Sequence, residues 1–173
     1  IYNVEQDELR PALIRGKDFP RNIQSLATDQ KNLYIGMKDE VGCYSFATSD
    51  YQVISHPEFF YISTLMLDSS ENTLWIGNAR HLHRMNLDTK EIERVRDFYV
   101  VKSIAKDDNN LLIGTDNGLY VCDRQGTWHL ISHDARNSQS LSSNVVNMFF
   151  KDANGNIWIG TDNGISLAAH NPS

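Results

Sequence analysis

Short apolar runs separated by polar turn formers fill this chain, and one of them repeats. Leu33-Tyr34-Ile35-Gly36 returns as Leu74-Trp75-Ile76-Gly77, Leu111-Leu112-Ile113-Gly114 and Ile157-Trp158-Ile159-Gly160, with the glycines 41, 37 and 46 residues apart. An aspartate precedes each glycine by seven to nine residues, at Asp29, Asp68, Asp107 and Asp152. Six, three and two positions before these aspartates stand Ile23, Leu26, Ala27; Ile62, Leu65, Met66; Val101, Ile104, Ala105; and Val146, Phe149, Phe150, all apolar. Runs of this length and composition, bounded by Asn, Asp and Gly, predict strands. The segment before each aspartate is the first strand of a repeat, and the run into the glycine is the second. Links such as Asp29-Gln30-Lys31-Asn32 consist of residues that turn the chain, so the two strands pair as a hairpin.

A third alternating run begins five residues after the glycine in three copies and seven in the first, at Leu82, Leu119, Ile165 and Cys43. A fourth spans Tyr51 to Ile54, Ile92 to Val95 and Thr127 to Ile131. Four antiparallel strands in about 40 residues is the arithmetic of a propeller blade. The expected fold is therefore all-β, with three complete blades at 19–56, 60–95 and 100–131 and partial ones at 1–14 and 145–173. Ile1 to Val4 reads as a third strand and Leu9 to Ile14 as a fourth. A fragment of a larger propeller is the leading arrangement. A ring of four blades, closed by residues 1–14, is the alternative.

Because strands alternate in direction, the connections between repeats and the loops between second and third strands emerge on one face. The repeats disagree there, whereas the hairpin turns on the other face resemble one another. The variable loops carry Lys38, Asp39, Phe59, Phe60, Tyr61, Arg80, His81, Tyr99, His133, Arg136 and Asn137. A rigid scaffold presents binding groups on such loops. Aromatic rings stack on the apolar faces of sugars, and Arg, Asn and Asp satisfy hydroxyls, so the mixture suits an oligosaccharide. The bland account has the aromatics packing between blades and the charges solvated. Trp75 and Trp158 share the repeat position of Tyr34 and are expected between blades; the repeated glycines are expected for backbone geometry where a strand exits. His81 and His83 alternate along a strand, but two ligands do not make a metal site.

Composition narrows the function. Hydrophobic residues make up 40% and charged residues 22%, ordinary values for a folded chain. The net charge of -6 is spread along the chain without a Lys/Arg cluster, which speaks against nucleic acid. No apolar run approaches the length needed to span a bilayer. Cys43 and Cys122 lack metal or redox spacing and read as small buried hydrophobes. No cofactor motif is present, so no cofactor and no metal is expected.

Trp158-Ile-Gly-Thr-Asp-Asn-Gly164, with Leu141-Ser-Ser-Asn-Val-Val146 and Asp152-Ala-Asn-Gly155 upstream, resembles the two-component regulator propeller repeat. Ile113-Gly-Thr-Asp-Asn-Gly-Leu119 is similar, while Met37 to Gly42 and Asn78 to His81 depart from the pattern. The resemblance implies seven-bladed propellers in the periplasmic half of a hybrid sensor kinase, followed by a β-sandwich, a membrane helix, a kinase core and a receiver. It also implies a homodimeric parent that senses oligosaccharides and switches on genes for polysaccharide breakdown. The segment itself would then be no enzyme; its partners would be a small ligand and neighbouring blades, and it would meet the membrane only through its parent. Two alternatives remain: a propeller lyase or glycoside-active enzyme, which needs converging carboxylates, and an interaction scaffold using exposed strand edges.

Overall fold

The computed structural model describes residues 22–169 and four short strands before them. These strands are β1 (Tyr2–Asn3) paired with β2 (Glu8–Leu9), and β3 (Leu13–Ile14) paired with β4 (Lys17–Asp18). The fourth strand expected from Leu9 to Ile14 thus gives Leu9 to one pair and Leu13 and Ile14 to another; residues 10–12 lie outside the described residues, as do Ile1 and Val4.

Four sheets follow, each a meander whose spatial order is its chain order. The first holds β5 (Ser25–Thr28), β6 (Asn32–Gly36), β7 (Glu40–Ser45) and β8 (Tyr51–Ser55). The second holds β9 (Thr64–Asp68), β10 (Thr73–Gly77), β11 (His81–Asn86) and β12 (Ile92–Asp97). The third holds β13 (Val101–Asp107), β14 (Asn110–Thr115), β15 (Gly118–Cys122) and β16 (Trp128–Ile131). The fourth holds β17 (Val146–Lys151), β18 (Ile157–Thr161) and β19 (Gly164–Ala168). All are antiparallel, and the first strands β5, β9, β13 and β17 pack side by side. These are propeller blades.

The register corrects one spacing. Gly36 pairs with Val41 as Gly77 does with Leu82, Gly114 with Leu119 and Gly160 with Ile165, so the third strand follows at the same distance in every copy. Val41 is fully buried. Gly42, which interrupts the apolar alternation behind it, has the Tyr51 ring packed over it and hides the match from the sequence.

Each blade buries two faces, and the repeat positions sort between them. Residues six and three before the aspartate face the preceding blade: Ile62 and Leu65 join Tyr34 and Val41, while Val101 and Ile104 join Trp75 and Leu82. The residue two before it faces the following blade, as Met66 and Ala105 do. In the second strand, Leu74 and Ile76 look back while Trp75 looks forward. This period of two is what a strand buried on both faces requires. At the flanks the same positions are exposed, Ile23 and Leu26 on one side and Phe150, Trp158 and Ile165 on the other, with Met148 and Leu167 exposed beside them. Tyr34 and Trp75 therefore lie between blades, whereas Trp158 is 40% exposed and donates its Nε1–H to Asp152 Oδ2 at 2.9 Å.

The repeated glycines have a different cause from the one the sequence suggested. None of Gly36, Gly77, Gly114 and Gly160 adopts a positive φ. Instead the residue six before the next aspartate packs onto each of the first three: a Cβ at Gly77 would meet Val101, at Gly114 Val146 and at Gly36 Ile62. Close approach of the next blade excludes the side chain.

The hairpin turns opposite the loop face are structural. Asp29 Oδ1 accepts the N–H groups of Lys31 and Asn32 at 3.0 and 2.7 Å, and Asp152 Oδ1 accepts those of Asn154 and Asn156 at 2.9 and 3.0 Å. Lysines join these turns across blades. Lys106 binds Asp68 and Glu71 of the blade before it, and Lys151 binds Asp107 at 3.1 Å.

Candidate functional site

The connections after β8, β12 and β16 and the loops after β6, β10, β14 and β18 leave the sheets at one end. The chain organises three groups of side chains there.

The first lies where residues 56–63, between β8 and β9, cross the loops of the first two blades. Ile62 N–H donates to the Lys38 carbonyl at 2.9 Å and Ala79 N–H to the Phe60 carbonyl at 3.1 Å, so both neighbouring loops grip the connection. Phe59 is the anchor: it is 5% exposed in the inter-blade core and so faces away from any ligand, correcting its place among the binding candidates. An aromatic at this position finds an apolar seam beneath it, and burial wins. Phe60 and Tyr61 are instead exposed, their rings edge to face at 4.8 Å. Lys38 Nζ lies 4.9 Å from the Tyr61 ring, and the Arg80 guanidinium 4.9 Å from the Phe60 ring. Asp39 carries Oδ1 to 3.5 Å from the Tyr61 N–H and pairs loosely with Lys38. Tyr61 holds φ at 51°, an outlier that costs a bulky residue about 1–2 kcal/mol. Lys38, Asp39, Tyr61 and Arg80 are thus brought together, with Phe60 between them.

The second group lies beside the first, around one buried histidine. His83 on β11 is fully buried, with Nε2 3.3 Å from Glu58 Oε2. Arg94 on β12 holds the other oxygen of Glu58 at 3.3 Å and reaches Asp97, which His81 Nδ1 meets at 3.0 Å. The His56 ring packs 5.4 Å from that of His83, and the His56, Glu58 and His83 ligand atoms all lie within 4.8 Å of one another. Burial lowers the affinity of His83 for a proton, against the pull of Glu58, so the ring is neutral at pH 7. Glu58 is held below the usual carboxylate range, first by the His83 bond, and Arg94 adds to this against partial desolvation. His81 therefore belongs to this network and not to the aromatic cluster. His56 and Glu58 were missed in the sequence, although His56-Pro57-Glu58 stands in a variable loop, with Glu58 25 residues before His83.

The third group surrounds the long connection after β16. His133 donates its N–H to Asn144 Oδ1 at 2.6 Å and sets Nδ1 2.6 Å from the Leu141 carbonyl. With Asn137, Ser142 and Ser166 it lines an open cavity of about 410 Å³ against β19. Arg136 stands apart from that lining and pairs with Asp134, whose carboxyl is held low by the Arg136 N–H and guanidinium. Tyr99 is 82% exposed and belongs to none of the groups.

The family model described as Two component regulator propeller matches residues 140–163, the stretch from the cavity loop through β18. Two crystal structures of the extracellular domain of BT4673 from B. thetaiotaomicron superpose on the chain with a TM-score of 0.85 and 32% identity over 99% of its length. Residues 140–163 are a two-component regulator propeller repeat, and the chain as a whole is similar to the BT4673 domain. One of those structures names BT4673 as a one component system and the other as a hybrid two component system. This regulator propeller segment spans 24% and 25% of the two chains, about a quarter. The computationally designed Ika4 protein shares the fold alone, at TM-score 0.63 and 15% identity over 84% of this chain and 89% of that one. No curated protein matches the sequence.

Proposed function

We propose that this propeller segment is part of the periplasmic sensing region of a hybrid two-component sensor kinase at the bacterial inner membrane, and that its loop face binds an oligosaccharide whose presence regulates polysaccharide-use genes. The observation that carries the ligand class is the exposed Phe60–Tyr61 pair flanked by Lys38 and Arg80. Two rings at right angles offer stacking surface to a pyranose, and the cations and Asp39 offer hydrogen bonds to its hydroxyls. Tyr61 is held there in a left-handed backbone conformation at φ 51°. Catalysis belongs, in this reading, to the kinase core of the parent. The exposed apolar flank of β17, β18 and β19 would receive a further blade of the same repeat, as the greater length of the BT4673 domain suggests. Parent homodimerisation would then carry the signal inward.

Calorimetry of the complete sensing region against a panel of oligosaccharides tests the proposal. One member should bind. Tyr61→Ala and Arg80→Ala should each weaken it by several-fold to tenfold, the value of an aromatic or cation contact of ~1 kcal/mol. Absence of binding across the panel, or affinity indifferent to both substitutions, would count against it.

A further inference from the structure

We infer that His56, Glu58 and His83 form a site for a divalent transition-metal ion of the zinc class at the seam between the first and second blades. Imidazole nitrogen and carboxylate oxygen are the donors such ions take, and two His with one Glu is a recognised three-ligand set that leaves one position open. The geometry is close to assembled. A tetrahedral ion with bonds of about 2.1 Å holds its ligand atoms about 3.4 Å apart, and His83 Nε2 already stands 3.3 Å from Glu58 Oε2. The His56 donor completes the triangle within 4.8 Å, so one loop side chain must close by little more than an ångström. His56 accepts a long 3.3 Å contact from the Glu58 N–H at Nδ1, which is a weak restraint to give up.

His83 is fully buried beside Phe59, and Nε2, the nitrogen that faces Glu58, is the one that would take the ion, with the ring proton then carried on Nδ1. Its neutral form is the ligand form. The surroundings restrain the Glu58 ligand. Arg94 occupies Glu58 Oε1 and leaves Oε2 to the ion, and Asn78 Nδ2 holds the Glu58 carbonyl at 3.0 Å, fixing the loop from beneath. Arg94 also brings a positive charge near the site, but its partners Glu58 and Asp97 keep the local balance from opposing a cation.

Titrating the complete chain, freed of metal by chelator, with Co²⁺ and then Zn²⁺ tests the inference. One Co²⁺ should bind per chain with the intense visible bands of a four- or five-coordinate ion, and Zn²⁺ should displace it. His56→Ala and Glu58→Gln, both on a partly exposed loop, should lower affinity by tenfold or more, while His129→Ala on the outer strand β16 should not. Proton spectra of the unsubstituted chain give an independent reading: of its six histidines, the His56 and His83 rings should shift together on adding Zn²⁺. Failure to bind one equivalent, binding that survives both loop substitutions, or shifts confined to other histidines would overturn it.

Discussion

Replacing the four glycines of the repeated tetrapeptide by alanine, one at a time, should give unequal costs at one repeat position. A Cβ at Gly114 would lie 2.3 Å from Ser103 Oγ, 2.7 Å from Val146 Cγ1 and 2.9 Å from the Val146 carbonyl oxygen. The last is backbone and cannot rotate away. At Gly77 the neighbours are Val101 Cγ1 at 2.4 Å and Thr64 Cγ2 at 2.7 Å, both β-branched side chains in a packed seam. At Gly36 the nearest atom is Ile62 Cγ2 at 3.1 Å, and at Gly160 it is Met148 Cγ at 2.8 Å on an exposed, flexible chain.

Two terms oppose each other. Alanine loses less conformational entropy than glycine on folding, a gain of about 0.5–1 kcal/mol. Overpacking costs about 1–3 kcal/mol. Gly114→Ala should therefore destabilise the chain by about 2 kcal/mol, Gly77→Ala by about 1–2, and Gly36→Ala and Gly160→Ala by about 0.5 at most. Urea denaturation followed by circular dichroism measures the series. Val146→Ala combined with Gly114→Ala should recover part of the loss as a coupling of about 1 kcal/mol. Equal costs at all four positions, or Gly160→Ala as damaging as Gly114→Ala, would show that backbone conformation and not the neighbouring blade selects glycine.

The turn face gives two further tests. Burial by itself would raise the Asp68 carboxyl, but the bonds from Lys106 and Ser70 override it and hold the group below its ordinary 3.8. The stability it contributes is therefore fully present above pH 3.8 and lost as the pH falls through its lower folded value. Asp68→Asn should flatten that part of a pH-dependent urea midpoint, and Lys106→Met should cost about 1–3 kcal/mol at pH 7 by stranding a buried carboxylate. At Asp152 the Asn156 and Trp158 donors lower the carboxyl to about 2, so the Trp158 indole N–H resonance should titrate near that value and cease to do so in Asp152→Asn.

The blades were legible because a strand buried on both faces writes its burial directly into sequence. Ile62, Leu65, Val101 and Ile104 had to be apolar wherever a neighbour packs, and four copies make the period plain. Two features escaped for opposite reasons. Val41-Gly42 hid the first third strand, because Tyr51 supplies from the next strand the bulk that the glycine lacks. The repeated glycines were visible, but their cause was not, since the residue that excludes a Cβ lies in the following repeat, beyond any local pattern. Lys106 and Lys151 likewise reach back a whole blade to Asp68 and Asp107, 38 and 44 residues away.

The loop face was legible as a region and not as a set of contacts. Variability between repeats marked residues 55–61 and 78–81, but it could not separate Phe59 from Phe60. Those two differ only in which way the chain turns, and the turn is held by hydrogen bonds from Phe59 to the His56 carbonyl, Ala79 to the Phe60 carbonyl and Ile62 to the Lys38 carbonyl. The same bond pattern decides the chemistry on either side. Phe59 goes down and seats Glu58 against His83, whereas Phe60 and Tyr61 go up between Lys38 and Arg80. One short connection thus carries two of the donors, His56 and Glu58, and the exposed aromatic pair, with only Phe59 between Glu58 and Phe60. An ion that draws His56 and Glu58 toward His83 would fix the same backbone that presents Tyr61. If ligand contact at the loop face and occupancy of the seam are linked through this one segment, each would alter the affinity of the other by the same factor.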